Sequence, residues 1–337
     1  MKTILITGGA GFIGSNFIKM ILHKTDYTVI NFDKLTYAGN LENLKEIQSN
    51  PKYKFIKGDV AKTEDVNSLR NEKIDFIINF AAESHVDRSI NSPNIFTISN
   101  VIGTQNILNL ALEKNVVKFI QISTDEVYGS LEAKGKFTEH SPLNPSSPYA
   151  ASKTAADVLA LSYFKTYNLN LNVTRCSNNY GSFQFPEKLI PLTIFNAKTN
   201  SEIPVYGTGK NIRDWLYVED HCSAILNIME NAECGEIYNI GGNTEKQNIE
   251  IVKILLQELN KPLSLIKFTN DRKAHDKRYA VDFSKIKTEL GWTPKTEFSL
   301  GLKRTIDWYL NNDAWMEHIV SKKYQTYNAS YSEINGI

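Results

Sequence analysis

The stretch Lys2-Thr3-Ile4-Leu5-Ile6-Thr7-Gly8-Gly9-Ala10-Gly11-Phe12-Ile13-Gly14 decides the fold of this chain of 337 residues. It reads as a buried strand, a glycine-rich turn and the start of a helix whose apolar face continues through residues 16–22. Because Gly8, Gly11 and Gly14 carry no side chains, a pyrophosphate could approach the backbone N–H groups at the positive end of the helix. The pattern predicts a dinucleotide-binding unit.

An acidic residue stands where dinucleotide-binding folds hold the ribose. The second predicted strand, residues 28–32, delivers Asp33, which lies 19 residues after Gly14. Its carboxylate would accept hydrogen bonds from the ribose hydroxyls and repel a 2′-phosphate. The position therefore favours NAD over NADP as the cofactor, although the neighbouring Lys34 weakens that preference.

Strand and helix patterns alternate along the rest of the chain. Near-continuous apolar runs occur at 54–58, 76–82, 117–123 and 172–175, and helices are predicted near 217–230, 247–260 and 298–311. Such runs, separated by helical segments, predict an α/β fold with a Rossmann-type doubly wound parallel sheet and ligands at the strands' carboxyl ends. We predict an NAD-binding domain at residues 1–175. Residues 176–337 would form a smaller α/β lobe, mainly substrate-binding, with some segments returning to the first domain.

Composition excludes several classes of function. A net charge of +1 gives no electrostatic reason to expect nucleic acid or a membrane as partner. The N-terminal apolar run is too short for a signal peptide, and no later stretch approaches 18 apolar residues. Cys176, Cys222 and Cys234 lack a Cys-x-x-Cys spacing, which argues for reduced thiols and against a metal site. We expect a cytoplasmic protein that acts on a small molecule.

Tyr149 and Lys153 form a candidate catalytic pair. Ser147-Pro148 predicts the start of a helix, and residues four apart on a helix share one face. A lysine ammonium there would favour the tyrosinate, so a phenol with a reference pKa of about 10 could act as a base near neutrality. The spacing also arises by chance in many helices, so its meaning depends on the glycine-rich motif. In that context the pair predicts removal of an alcohol proton during hydride transfer.

Thr124-Asp125-Glu126 is the most specific chemical signal in the chain. The block follows a predicted strand directly and lies 25 residues ahead of Tyr149. Two close carboxyl groups can act as an acid and a base together, because the charge of one raises the pKa of the other. The alternative is a solvated acidic turn. Combined with Tyr149 and Lys153, the carboxyl pair predicts an oxidation coupled to an elimination.

Over nearly its whole length the chain resembles the extended short-chain dehydrogenase/reductase family, and within it the nucleotide-sugar 4,6-dehydratases. The resemblance is carried by blocks at 7–14, 33–40, 81–89, 123–129, 149–153, 175–181, 186–191 and 213–221. The Asp125-Glu126 pair is discriminating, because related sugar epimerases usually carry small hydroxyl or apolar residues there. The resemblance implies an NAD-dependent hydro-lyase that acts on a nucleoside-diphosphate hexose, with dTDP-glucose favoured. It also implies a homodimer paired through helices of the nucleotide-binding domain.

The resemblance implies a role for each catalytic residue. Tyr149, aided by Lys153 and Thr124, takes the proton of the sugar 4-hydroxyl while a hydride passes from C4 to NAD+. Glu126 then removes the C5 proton, Asp125 protonates the departing 6-hydroxyl, and the hydride returns to C6. The product is a 4-keto-6-deoxy sugar, and NAD ends in its starting oxidation state.

The resemblance also implies two sets of contacts. To the glycines of the motif, cofactor binding adds Phe12, Ile13, Asp33, Lys34, Thr36, Asp59, Val60, Ala81, Ala82, Asn100, Tyr149, Lys153 and Asn179. Substrate binding would use Ser84, His85, Arg88, Thr124, Asn178, Lys188, Leu189, Arg213, Asn248, Arg272 and His275. Arg213 and Arg272 suit bidentate binding of a diphosphate, but either could be a surface salt-bridge residue. His85 and His275 could likewise be structural.

Two departures from the family pattern leave the substrate open. Asp271-Arg272-Lys273-Ala274-His275-Asp276 stands where the family usually has Asp-Arg-Pro-Gly-His-Asp, and the usual threonine before the matching asparagine is also replaced, giving Glu245-Lys246-Gln247-Asn248. The loss of proline and glycine changes the backbone conformations open to that loop. A 4,6- or 5,6-dehydratase acting on UDP-N-acetylglucosamine therefore remains an alternative.

Two further alternatives concern the reaction. A nucleotide-sugar epimerase or decarboxylase could use the same fold, but Asp125 and Glu126 argue against it. A noncatalytic NAD-sensing scaffold belongs to a different class of protein. Its usual signature is the loss of Tyr149, Lys153 or the carboxyl pair, and all of these residues are present.

Overall fold

The computed structural model describes residues 2–323 and is built around parallel β-strands. The strands are β1 (Thr3–Thr7), β2 (Thr28–Asp33), β3 (Tyr53–Lys57), β4 (Phe76–Asn79), β5 (Lys118–Thr124), β6 (Leu171–Cys176), β7 (Asn178–Tyr180), β8 (Ile203–Tyr206), β9 (Ile212–Tyr217), β10 (Ile237–Ile240), β11 (Glu245–Gln247) and β12 (Ile266–Thr269).

Helices connect and cover these strands. They are α1 (Phe12–Lys24), α2 (Thr63–Asn67), α3 (Val86–Asn91), α4 (Pro93–Phe96), α5 (Gly103–Glu113), α6 (Pro148–Tyr167), α7 (Leu189–Lys198), α8 (Val218–Asn231), α9 (Asn248–Glu258), α10 (Ser284–Leu290), α11 (Phe298–Asn311) and α12 (Asp313–Val320). Short 3₁₀ segments lie at Leu41–Ile47, Ser68–Asn71, Asp125–Tyr128 and Leu263–Leu265, and a π-helical segment, Thr97–Ile102, joins α4 to α5. The predicted helices near 217–230, 247–260 and 298–311 are confirmed as α8, α9 and α11.

The large sheet has seven strands in the order β10-β6-β5-β4-β1-β2-β3, and all of its pairs are parallel. The chain runs outward in one direction from β1 to β3 and in the other from β4. Ligands of such sheets bind outside the carboxyl ends of the strands where this reversal occurs. The predicted doubly wound α/β fold is confirmed.

Alternation of side chains along each strand explains why helices cover both faces of the sheet. On β1, Ile4 and Ile6 belong to the core cluster that contains Phe17 of α1 and Ile225 of α8. Leu5 points the other way, into the cluster that contains Ile107 of α5 and Ala160 of α6. A strand buried on both faces needs a continuous apolar sequence, which is the pattern seen at the N-terminus.

The second lobe contains two small sheets. One has the order β11-β9-β7, the other pairs β12 with β8, and α7, α9, α11 and α12 pack around them. Its core includes Trp215, Ile251, Leu302 and Met316. Strand β10 and helix α8 come late in the sequence but belong to the large sheet and its helical layer. The chain therefore crosses between the lobes more than once.

One continuous helical stretch, Pro93–Glu113, corrects an expectation from the sequence. Among the described residues it alone is long and apolar enough to cross a membrane, with a mean hydropathy of 1.2. The sequence shows no uninterrupted apolar run of this length, because polar side chains separate the apolar residues of this stretch. In the structure, 44% of this stretch's apolar window is buried, and its helices pack against α6.

Candidate active site

The glycine-rich turn leaves the start of α1 open to a ligand. Gly8 has φ +69°, and a Cβ atom there would lie 2.8 Å from the backbone of Ala81. A Cβ on Gly14 would lie 2.5 Å from the carbonyl oxygen of Gly8. Within the described chain, no side chain caps α1, whose N-cap is Gly11. Its first N–H groups are therefore available to an anion such as a pyrophosphate, so the turn fits a dinucleotide.

The Asp33 carboxylate is held at the edge of the same cavity. It accepts hydrogen bonds from the backbone N–H groups of Ala10 (2.9 Å) and Leu35 (2.8 Å). Burial raises the pKa of Asp33, and these two hydrogen bonds oppose the rise. The Lys34 ammonium lies 2.7 Å from a carboxylate oxygen of Asp59. Because Lys34 has this partner, it weakens the preference for NAD less than the sequence suggested.

Two cavities meet at the carboxyl ends of the strands. The first has a volume of about 310 Å³ and extends from the glycine-rich turn to the candidate catalytic residues. The second has a volume of about 320 Å³ and lies against the smaller lobe. Both are lined by Glu126, Asn178, Asn179, Gln184, Glu187 and Lys188. The two cavities therefore form one continuous cleft.

The first cavity collects nearly all of the predicted cofactor residues. Its lining includes Gly8, Gly11, Phe12, Ile13, Gly14, Asp33, Lys34, Thr36, Asp59, Val60, Ala81, Ala82, Tyr149, Lys153 and Asn179. Asn100 is the exception. It is buried behind the wall, accepts a hydrogen bond from the N–H of Glu83 (2.8 Å) and donates to the hydroxyl of Ser152 (2.8 Å). Through these hydrogen bonds Asn100 holds the loop after β4.

Helix α6 positions Tyr149 and Lys153 as predicted. The Ser147 side chain caps the helix by accepting a hydrogen bond from the N–H of Ala150 at 3.1 Å. Tyr149 and Lys153 are both buried, and the Lys153 ammonium donates to the carbonyl oxygen of Ile122 at 2.6 Å. One turn of helix separates them, so both face the end of β5.

The electrostatics of Tyr149 correct an expectation. Burial raises the pKa of Tyr149 well above its usual value, the neighbouring Glu126 raises it further, and the Thr124 hydroxyl opposes the rise. Burial also lowers the pKa of Lys153. The predicted lowering of the Tyr149 pKa by Lys153 is therefore outweighed, because both groups are removed from water.

The two carboxyl groups of the Thr-Asp-Glu block occupy different electrostatic surroundings. Burial raises the pKa of Asp125 well above its usual value, and Glu126 and Asp214 add to the rise. Oxygen Oδ2 of Asp125 is buried without a hydrogen-bond partner among residues 2–323. Burial also raises the pKa of Glu126, but the cations Arg272, Lys188 and Arg213 oppose that rise. These directions favour a protonated Asp125 beside an ionised Glu126.

The second cavity collects most of the predicted substrate residues. His85, Asn178, Lys188, Leu189, Arg213, Asn248, Arg272 and His275 line it, whereas Ser84 and Thr124 line the first cavity. The Arg213 guanidinium donates to the carbonyl oxygen of Asp276 at 3.0 Å and lies 4.3 Å from the centre of the Tyr279 ring. The buried Nε of Arg272 has no hydrogen-bond partner in the described part of the chain. These arginines form a cationic wall that could hold a diphosphate.

Arg88 is the predicted substrate residue that lines neither cavity. Its guanidinium lies 3.5 Å from the centre of the Tyr37 ring and 3.9 Å from a carboxylate oxygen of Glu187. The Tyr37 hydroxyl donates to Glu187 at 3.0 Å. Sequence reasoning had missed Glu187 and Tyr37 as site residues, although both belong to the blocks that carried the resemblance. Gln184 and Tyr279, which also line the cleft, gave no comparable signal.

Potential metal ligands are dispersed. Within residues 2–323, no group of three His, Cys, Asp or Glu side chains could hold a metal ion. The three cysteines are free thiols, and burial raises the pKa of Cys176 to about 12. The side chains of the cleft that can exchange protons are its carboxyl, phenol and ammonium groups.

Known proteins share this arrangement. The family model described as GDP-mannose 4,6 dehydratase matches residues 5–305. The dTDP-glucose 4,6-dehydratase of Xanthomonas campestris pv. campestris is 46% identical, with 96% of this chain and 98% of that protein covered. The crystal structure of the dTDP-glucose 4,6-dehydratase DesIV from Streptomyces venezuelae, with NAD and TYD bound, is 45% identical with a TM-score of 0.91. The match covers 94% of this chain and 99% of the DesIV chain.

A second solved structure gives the same result. The dTDP-glucose 4,6-dehydratase of Bacillus anthracis, in complex with NAD, is 48% identical with a TM-score of 0.88. That match covers 95% of this chain and 100% of the Bacillus anthracis chain. The chain therefore belongs to the nucleotide-sugar 4,6-dehydratase family, whose members include these dTDP-glucose 4,6-dehydratases.

Proposed function

We propose that this chain is an NAD-dependent hydro-lyase that converts dTDP-glucose into its 4-keto-6-deoxy product. The observation that carries the proposal is the position of Asp125 and Glu126 beside Tyr149, with Glu126 at the junction of the two cavities. A sugar bridging the cavities would present C4 to the phenol and C5 and C6 to the carboxyl groups. NAD is the cofactor of the relatives described above, and the glycine-rich turn and Asp33 fit it.

The first step is oxidation at C4. Bound NAD+ supplies the acceptor for the C4 hydride and later the donor that returns it to C6. Tyr149 takes the proton of the 4-hydroxyl. Thr124, whose hydroxyl opposes the rise in the pKa of the phenol, and the buried ammonium of Lys153 stabilise the tyrosinate that acts as the base. Because Tyr149 is deeply buried, the proton passes to it without competition from bulk water.

The second step is elimination of water. The new 4-ketone acidifies the C5 hydrogen, Glu126 removes that proton, and the C6–oxygen bond breaks. Asp125 gives its proton to the departing hydroxyl, which leaves as water. Each positioned acid or base of this kind contributes about 10² to 10⁴ in rate. Hydride return to C6 and reprotonation at C5 by Glu126 then complete the product.

The second cavity would hold the nucleoside diphosphate. Arg213 and Arg272 supply guanidinium groups, and Lys188 supplies an ammonium that also donates to the carbonyl oxygen of Ser84 at 3.2 Å. These three cations also act on Glu126, because they are the groups that oppose its pKa rise. Binding the diphosphate would neutralise part of this charge, so substrate would make Glu126 a stronger base.

Mass analysis in deuterated water tests the proposal. We would incubate the purified protein separately with dTDP-glucose and UDP-N-acetylglucosamine and follow product mass and NADH absorbance. We expect dTDP-glucose to lose one water and gain one deuterium at C5, without net NADH. Faster dehydration of UDP-N-acetylglucosamine would move the assignment to that substrate. Unchanged composition with both substrates, with NAD bound, would contradict dehydration.

We also propose a homodimer that forms through α6 and the continuous helical stretch Pro93–Glu113. Ile95, Ile98 and Ile102, which are 50%, 53% and 42% exposed, form one row at i, i+3 and i+7, and Val158 of α6 is 54% exposed. Such a row of apolar side chains is typical of an interface. One chain has a mass of 38.2 kDa, and sedimentation of the wild type should give twice that mass. Ile98→Lys should reduce the sedimenting mass to that of one chain. A wild-type monomer at micromolar concentration would contradict the proposal.

Two coarser proposals complete the description. Because all three cysteines are free thiols, we propose a cytoplasmic location. We also propose that the cofactor-binding part ends near residue 175, with β10 and α8 as later contributions to its sheet and helical layer. Limited proteolysis in the presence of NAD would test this division, since cofactor-protected fragments should end near that residue.

A further inference from the structure

Helix α6 carries a third polar side chain behind the catalytic pair. Asp157 lies four residues after Lys153, one turn further along the same face. It is completely buried, and its Oδ2 accepts a hydrogen bond from Nε of Arg175 at 3.0 Å. Arg175 is itself only 2% exposed. The mechanism above uses neither of these two charges.

The ion pair is fixed from the far side by hydrogen bonds. Arg175 donates from Nη1 to the Tyr128 hydroxyl at 2.9 Å, and its guanidinium lies 4.9 Å from the centre of that ring. Tyr128 donates to Oδ1 of Asn239 at 2.8 Å, and Asn239 donates to the carbonyl oxygen of Phe137 at 3.0 Å. The Asp157 carboxylate is therefore held in a single position by a chain of groups from β6, β10 and the segment after β5.

Stability alone is a weak reason for such a network. Removing two charges from water is costly, and well-packed apolar side chains often stabilise a core as well as a buried ion pair does. The Lys153 ammonium, by contrast, does need a neighbouring charge. It is buried, its hydrogen bond goes to the uncharged carbonyl of Ile122, and it is a cation that requires a nearby anion.

We propose that Asp157, fixed by Arg175, is a positioning residue that maintains Lys153 as a cation next to Tyr149. This inference rests on the proposed function, because it assigns Asp157 a role in the oxidation at C4. Asp157 does not contact the cleft and acts only through Lys153.

The surroundings of Lys153 agree with this role. Burial lowers the pKa of Lys153, and Asp157 is the largest influence that opposes the fall, ahead of Cys176. In return Lys153 and Arg175 oppose the rise that burial causes in the pKa of Asp157. The titratable or charged groups that face this region are Tyr149 and Asp157 on α6, Arg175 and Cys176 on β6, and Asp125, Glu126 and Tyr128 after β5.

Asp157→Asn tests the proposal, because it keeps the shape of the side chain and removes its charge. We expect the alkaline limb of the kcat profile for dTDP-glucose to move to lower pH by about one unit, the low end of what a close opposite charge produces. At a pH above the alkaline limbs of both proteins, kcat of the variant should be about tenfold below that of the wild type, while KM should change less than twofold. A profile that superimposes on the wild type would overturn the proposal.

Tyr128→Phe is the matched control. It removes a hydrogen bond from Arg175 but leaves both charges and Lys153 in place. We expect a lower melting temperature with an unchanged pH profile. If both variants shift the profile equally, the network acts through packing and the proposal fails.

Two measurements keep the test decisive. If Asp157→Asn does not fold because Arg175 loses its partner, Asp157→Asn combined with Arg175→Gln removes both charges, and its profile should still shift. A direct titration of Lys153 by NMR, with ¹³C-labelled lysine and Lys153→Met for assignment, needs no turnover. Lys153 should titrate at lower pH in Asp157→Asn, and an unchanged titration would overturn the proposal. Wild-type protein that fails to dehydrate dTDP-glucose would instead contradict the proposed function.

Discussion

The cofactor cavity and the substrate cavity have nearly the same volume, about 310 and 320 Å³, but they are built differently. Much of the cofactor cavity is lined by residues at or just after the ends of neighbouring strands of one parallel sheet, such as Gly8, Asp33 and Asp59. The substrate cavity is lined by α3, α7, β8, β9, the start of α9 and the loop at 271–279. The shape of the cofactor cavity is set by the parallel sheet. The shape of the substrate cavity depends on how segments that are distant in the sequence pack together.

This contrast indicates where substrate specificity can change without loss of the fold. Both departures from the family pattern, at Gln247 and at Lys273-Ala274, lie on the substrate side. A strand end cannot move without disturbing the sheet, because its position is set by the register of the neighbouring strands. A loop such as 271–276 carries fewer constraints of this kind. We therefore expect variants at the junction to affect chemistry, and variants on either side to affect binding of one ligand.

The largest effect should come from the junction itself. Glu126→Gln should bind both ligands and still oxidise C4, but it should exchange the C5 hydrogen with solvent about 10² to 10⁴ times more slowly. Asp125→Asn should keep that exchange and lose water elimination, because only the acid is removed. Deuterium at C5 and product mass distinguish the two variants. Exchange at the wild-type rate in Glu126→Gln would remove this residue from the base role.

The sequence predicts the cofactor side well because its signals are local. Glycines whose positions leave no room for a side chain, an acid at the end of β2 and the cap of α6 by Ser147 each depend on a few neighbouring residues. Asn100 and Arg88 line neither cavity, because their positions depend on partners elsewhere in the chain. Pattern alone shows that such residues are polar, whereas only packing shows which way their side chains point.

Strand β10 shows the same limit at the level of the fold. Its four residues, Ile237–Ile240, pair with β6 and complete the large sheet, yet they lie more than 60 residues later in the sequence. A short apolar run gives no indication of which sheet it will join. The substrate cavity has this problem throughout, because it is formed by segments that meet only after folding.

A second prediction tests whether the cofactor cavity depends only on residues that are close to it in the sequence. The Trp315 indole N–H of α12 donates to Oδ1 of Asn43 at 2.8 Å, and Asn43 donates to the carbonyl oxygen of Ala10 at 3.0 Å. Trp315→Phe would leave a buried acceptor unpaired, at a cost of about 1–3 kcal/mol. If that cost falls on the NAD-bound form, the affinity for NAD decreases about 5- to 150-fold.

The measurement is NAD binding by calorimetry, with kcat at saturating NAD expected to stay within twofold. Trp308→Phe is the control, because Trp308 packs against Trp315 in the same aromatic group but its indole makes no described hydrogen bond to the cofactor loop. An equal loss of affinity in both variants would mean that general packing, and not the hydrogen bond to Asn43, supports the cofactor site.

His221 links the two sides and should make stability depend on pH. It is buried on α8, and its Nδ1 lies 2.9 Å from Oδ1 of Asn179, which lines both cavities. Burial lowers the pKa of His221 to about 3, against 6.5 for an exposed histidine. The folded state therefore favours the neutral ring. This stabilisation is complete above pH 6.5 and is lost as the pH falls towards 3, by roughly 1.4 kcal/mol per pH unit.

Urea unfolding of the wild type and His221→Gln between pH 7 and 5 isolates this contribution. The free energy of unfolding of the wild type should approach that of the variant as the pH falls, since glutamine does not titrate. Carboxyl groups with raised pKa values act in the opposite direction, but they are common to both proteins and cancel in the difference. A constant difference across this range would show that His221 is accessible to protons in the folded state.

The smallest effect concerns the altered substrate loop. Ala274 has φ +51°, in the left-handed region, at a position where the family usually has glycine. This conformation costs a residue with a side chain about 1–2 kcal/mol. Part of the gain from Ala274→Gly would be offset by the greater freedom of glycine in the unfolded chain. We expect a net stabilisation of about 0.5–1 kcal/mol, a change of a few-fold in KM for dTDP-glucose, and unchanged affinity for NAD.

Leu35 provides the same test on the cofactor side and should give the opposite sign. Its φ is +58°, so glycine would relieve a similar strain. The Leu35 side chain, however, packs against Ala10, Leu41 and Phe55, whereas Ala274 is exposed. Losing these apolar contacts outweighs the relief, so Leu35→Gly should lower both stability and NAD affinity. If both glycine variants were stabilised alike, the strain at Leu35 would not be balanced by packing, and the two sides of the cleft would be equally tolerant of change.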